Sequence, residues 1–163
     1  MKRGFTMMEM LVVFILIAIL AQIAIVTYRD SVQNSKRDHA KAVLSQIAAA
    51  NQNFMTDFPS AGIKDIRALT ATSRDECSMD KYSKELPANV LINCGYLEPA
   101  NWGDFDYDFF VCDPNSGNPP APCAPGVLAY MKALEGAGKY FTIDGGNPDV
   151  CLYTETAGYR DCN

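Results

Sequence analysis

The chain has 163 residues, a formal charge of −5, six cysteines and one histidine. That length allows one domain beyond a membrane-length segment, and the acidic balance offers no general attraction to nucleic acid or anionic lipid, so nucleic acid is not an expected partner. No GxSxG, HExxH or Walker loop is present, and His39 sits in KRDHAK as a solvated helix position, so no enzyme activity and no catalytic residue is expected.

The chain opens MKRGFTMMEMLVVFILIAILAQIAIVT. A short basic leader, Lys2-Arg3, precedes Gly4 and Phe5, and an apolar run from Met7 to Val26 follows, broken by Glu9 and Gln22. A secretory signal places its small-residue cleavage site after the apolar stretch. Here the small residue stands before it. A cut between Gly4 and Phe5 removes the basic leader and leaves the apolar segment on the chain. Glu9 then needs a partner, because a charge inside a membrane helix costs about 2.5 to 3.5 kcal/mol at the centre and less toward the interface. The ammonium that cleavage creates on Phe5, four residues away on a helical path, is one candidate, and the amine of a neighbouring chain is another.

Taken together, Gly4-Phe5-Thr6-Met7-Met8-Glu9 followed by MLVVFILIAILAQIAIVTY resembles the N-terminus of type IV pilins and type II secretion pseudopilins. The likeness covers about residues 1–30 closely and the Cys-flanked C-terminus more loosely. An apolar stretch of this length is, by itself, an ordinary membrane anchor. Leader charge, glycine, aromatic, glutamate and run length match the family jointly. The resemblance implies cleavage after Gly4 by a prepilin peptidase, N-methylation of Phe5 and a subunit-register role for Glu9. It implies a single-pass precursor in a bacterial inner membrane, passed by a pilus assembly machinery into an extracellular filament. That filament would be a homopolymer held through its N-terminal helices and used for adhesion, motility or DNA uptake. Two relatives of that reading stay open: a pseudopilin forming a periplasmic pseudopilus, and a minor pilin acting as a binding module at the tip. The family often carries a Gly where Ala18 stands and a Pro where Val26 stands; this chain has neither.

From Tyr28 to Phe58 no Pro or Gly interrupts, and from Val43 onward the apolar positions Val43, Leu44, Ile47, Ala48, Phe54, Met55 and Phe58 follow helical spacing. Residues 33–39, QNSKRDH, carry no stripe. Lys36, Arg37 and Lys41 read as salt-bridging to Asp30, Asp38 or a neighbouring subunit. The expected divisions are a leader over 1–4, a transmembrane or filament-core helix over 5–27, an amphipathic half over 28–58 and a sheet-bearing head over 59–163. One apolar helix face against a sheet gives an α+β fold, a long N-terminal helix packed on a small antiparallel sheet.

Within the head, Ile66 and Leu69 suggest a short helix, and Asp75 to Lys84 a polar loop. DFDYDFFV (104–111) alternates as a half-buried strand with Asp104, Asp106 and Asp108 on one face. DPNSGNPPAPCAPG (113–126) is loop chemistry, and VLAYMKAL (127–134) fits strand or helix. KYFTID (139–144) and VCLYTE (150–155) read as strands around a GGNP turn. Most of the aromatics should be core.

Cys77, Cys94, Cys112, Cys123, Cys151 and Cys162 all lie beyond the helix, and no CxxC occurs. An even count in the part expected to be exported argues for disulfides in an oxidising compartment. Six cysteines allow about 15 pairings; the sequential set Cys77–Cys94, Cys112–Cys123 and Cys151–Cys162 is the expectation. No metal or other cofactor is expected, and Asp104, Asp106 and Asp108 read as a solvated acidic face. Calcium is an alternative at those three and, ahead of them, at Asp144, Asn147 and Asp149, in a Gly-Gly loop, by analogy with a C-terminal loop of some pseudopilins.

Overall fold

Between Phe5 and Phe58 the sequence holds neither Gly nor Pro, so nothing breaks the backbone hydrogen-bond ladder. The computed structural model accordingly has one helix, α1, Met7–Asp57, of 51 residues. It describes residues 6–59, 63, 68–77, 88–113, 123, 126–134, 139–154 and 159–162, with backbone alone at 139, 147, 148, 154 and 159–162. The chain divides into two compact units, Met1–Asp38 and His39–Asn163.

In the first unit every described residue is exposed, apolar ones included. The second unit takes up α1 from His39 and adds a short helix α2, Val90–Asn93, and a 3-10 turn, Trp102–Asp104. Five strands follow: β1 Tyr107–Val111, β2 Val127–Ala133, β3 Lys139–Asp144, β4 Asn147–Thr154 and β5 Tyr159–Cys162. They form an antiparallel sheet in sequence order, β1-β2-β3-β4-β5.

Strand alternation divides the sheet's side chains between two cores. One face sends Phe109, Val111, Ala129, Met131 and Ile143 against Ala40, Leu44, Ile47, Ala48 and Phe54 of α1, with α2 supplying Val90, Leu91 and Ile92. The other face carries Phe110, Tyr130, Tyr140 and Tyr153, one from each of β1 to β4, with consecutive ring centroids 4.5, 5.9 and 6.2 Å apart. Cys112, Cys123 and Val127 pack on that ladder as a second core. Burial there, and secondarily the Tyr140 hydroxyl, holds the Tyr130 phenol protonated well above its usual range.

Asn51 ties helix to sheet. It is fully buried, and its Nδ2 donates to the carbonyls of Cys112 and Leu128, 2.9 Å each, while its Oδ1 has no hydrogen-bond partner. Gly126 at the mouth of β2 has φ +90°, and a Cβ there would sit 3.0 Å from Asp144 Oδ1. The entry to β2, beside the end of β3, therefore requires glycine.

Several expectations need correction. Leu69 is not helical: Ala68 bridges Phe110, and the Leu69 N–H donates to the Phe109 carbonyl at 2.8 Å, so this stretch lies alongside β1. Ile66 and residues 78–84 lie outside the described residues. β1 begins at Tyr107, because Trp102–Asp104 is taken by the 3-10 turn; Asp104 and Asp106 therefore do not share a strand face with Asp108. VLAYMKAL resolves as strand β2, the GGNP turn narrows to Gly145-Gly146, and β4 starts at Asn147.

Candidate functional site

The candidate site is the N-terminal unit's own surface, and it starts at a helix cap. Thr6 Oγ1 accepts from the Glu9 N–H at 3.3 Å, and Glu9 Oε2 accepts from both the Thr6 N–H and the Thr6 hydroxyl at 3.1 Å. This reciprocal Thr-x-x-Glu arrangement is a capping box, which satisfies donors that a helix start leaves open. Glu9 thus has an intrachain partner already. T-x-x-E ahead of an apolar run marks this cap in the sequence itself. Gly4 and Phe5 lie outside the described residues.

Beyond the cap, Met7 to Val26 presents apolar side chains on all sides. Met7 is 94% exposed, Phe14 68%, Leu20 65% and Val26 63%. The helix is long and apolar enough to cross a membrane, with none of its most apolar window buried. Each of these side chains forgoes about 1.5 to 3 kcal/mol that burial would return. Exposed apolar surface on this scale marks a membrane or protein contact.

No protein-family model, characterised protein or solved structure matches this chain.

In the polar stretch that follows, Arg37 and Lys41 make contacts besides the expected ion pairs. Arg37 donates to Asn34 Oδ1 at 3.0 Å, and the Lys41 ammonium lies 5.9 Å over the Phe141 ring. His39 packs against Phe105, ring centroids 5.4 Å apart. Of the cysteines, Cys77 is bonded to Cys94 and Cys112 to Cys123. Cys151 is also disulfide-bonded, and the β4–β5 register sets it opposite Cys162. Asp144 Oδ1 accepts the Gly146 N–H at 3.1 Å, an Asx-type closure of the hairpin. Asp149 is exposed, and the Asn147 side chain lies outside the described residues. Among the described residues no group of three or more His, Cys, Asp or Glu is arranged to hold a metal ion.

Proposed function

We propose that this chain is a structural filament subunit of the type IV pilin kind, held first in a bacterial inner membrane by Met7–Val26 and then polymerised through that same helix. One observation carries the reading. A single uninterrupted helix is exposed and apolar at one end and forms the core of a disulfide-bonded head at the other. An anchor that served only to tether would not need to be continuous with the head's core. A filament needs that continuity, because it transmits the head's position to the packed helices.

In this reading lipid covers the apolar helix before assembly and helices of other copies cover it afterward. Lipid tails are as apolar as the side chains, so transfer is cheap only where the helices pack fully. Glu9 takes part in the exchange. Held by Thr6 in the monomer, its carboxylate leaves the capping box and accepts an incoming or newly exposed amine at Phe5. In the capping box the ionised carboxylate accepts from neutral donors; the amine supplies a donor that is itself charged, and the contact becomes an ion pair.

The test is processing and assembly together. Mass spectrometry of chain recovered from sheared surface filaments should find an N-terminus at Phe5. Replacing Gly4 with a bulky residue should leave uncut precursor in the membrane and no filaments. A surface-filament fraction without this chain, or a chain starting at Met1, would remove the proposal.

A further inference from the structure

The two disulfides whose partners are both described occupy opposite environments. Cys112 and Cys123 are 0% and 1% exposed, enclosed by Val127, Tyr130 and Tyr140 with Phe110 and Tyr153 alongside. Cys77 is exposed and Cys94 half-buried at the end of α2. Thiol–disulfide exchange requires a thiolate to reach a disulfide sulfur, so access decides which bond reacts. A thiolate entering the aromatic core would also lose its hydration without gaining a partner.

On the described side of Cys77 the chain is also tied down by contacts other than that bond. The segment before it is held to its neighbours by independent contacts. The Thr70 and Ala71 N–H groups donate to Asn89 Oδ1 at 3.1 and 3.3 Å, and Asn89 Nδ2 donates to Thr70 Oγ1 at 3.1 Å. Trp102 Nε1 donates to the Ala71 carbonyl at 2.9 Å, the Asp75 N–H donates to Asn93 Oδ1 at 3.2 Å, and Arg74 pairs with Glu98. No tie in this set passes through the disulfide. No other cysteine pair described here combines an exposed sulfur-bearing residue with such a backed segment.

We propose that Cys77–Cys94 is an exchange site for a dithiol oxidoreductase, and that Cys112–Cys123 is a structural staple closed to it. A thiolate of the dithiol attacks Cys77 Sγ, forming a mixed disulfide and releasing Cys94 as thiolate. The second thiol of the reductant, once deprotonated, then attacks its own sulfur in that mixed disulfide. Cys77 leaves as thiolate, and the reductant leaves oxidised as an internal disulfide. Both protein thiolates take up protons, so two electrons and two protons pass from reductant to protein. The reverse sequence, with an oxidised dithiol protein, closes the bond.

The experiment uses the full-length folded chain in membranes or detergent, titrated with dithiothreitol, trapped with an alkylating reagent and mapped by peptide mass spectrometry. Cys77 and Cys94 should become labelled at dithiothreitol concentrations about tenfold or more below those that open Cys112–Cys123. The head's far-ultraviolet circular dichroism should be unchanged across that first phase. A Cys77→Ser/Cys94→Ser double variant should fold and lack the early phase. A dithiol reductase lacking its resolving cysteine should be captured on Cys77. Equal labelling of Cys112 and Cys123, no labelling before the head unfolds, or capture on Cys94 alone would each overturn the assignment.

Discussion

The two ends of α1 are equally helical, yet they meet opposite surroundings. From Ala40 to Phe54 the helix buries six apolar residues, Ala40, Leu44, Ile47, Ala48, Ala50 and Phe54, together with Asn51, in the core it shares with the sheet and α2. From Met7 to Val26 it is apolar on every face, and every described side chain is exposed. A striped helix finds its partner within the chain; an all-round apolar helix has no such solution and must be covered from outside. The striped end is covered within the chain, and the end that is apolar all round is left exposed.

The comparison breaks if substitutions at the two ends act alike. The largest contrast should be Phe54→Ala against Phe14→Ala. Phe54 is fully buried and touches Phe58 and Tyr96 with ring centroids 5.3 and 5.4 Å away. Its truncation should cost about 3 to 5 kcal/mol of head stability. Phe14→Ala should leave head stability unchanged within about 0.5 kcal/mol and reduce assembly instead. Denaturant unfolding followed by tryptophan fluorescence reports the head, because Trp102 lies in its core.

Next in size is the staple of the outer sheet face. Cys112→Ser/Cys123→Ser should cost about 2 to 4 kcal/mol, since the bond closes a loop of 11 residues' separation over the aromatic ladder. Asn51→Leu should cost about 1 to 3 kcal/mol by leaving the Cys112 carbonyl without its donor, with the Leu128 carbonyl keeping the Cys112 N–H at 3.0 Å. The same unfolding curves measure both.

Much of this was legible in the sequence. The unbroken helix followed from the absence of Gly and Pro up to Pro59, and the sheet from period-2 runs between turns. Asn51 gave no signal in that helical stripe, because its target carbonyls belong to a strand and loop some 60 to 80 residues on. Leu69 was misread because its pairing with β1 is a tertiary choice that overrides local pattern. α2 escaped notice because four residues, VLIN, give no periodicity, and β5 because YRDC lacks alternation. The Thr6–Glu9 box is spelled by T-x-x-E, a signal that an argument from the charge of Glu9 alone does not use.

Smaller effects sharpen the same contrast. Raising pH above about 10 should weaken the head, because Tyr130 ionises in the unfolded chain near that value and resists ionisation when folded. That stability is fully present below the unfolded pKa and is lost as pH climbs toward the raised folded value. Absorbance titration should show one tyrosine ionising only with unfolding, and Tyr130→Phe should remove that step. Thr6→Ala should cost the N-terminal turn about 1 kcal/mol and leave head stability untouched. Amide exchange at Met7 to Met10 reads that loss.

The most direct test of the central claim is photo-crosslinking from position 14, where a photoreactive phenylalanine analogue replaces Phe14 in the full-length chain inside producing cells. If the exposed apolar helix is covered from outside by lipid and then by other copies, adducts should appear to lipid in precursor membranes. In assembled material they should appear to residues 7–26 of a second copy. Adducts to the chain's own head, or to lipid alone in every fraction, would contradict the account.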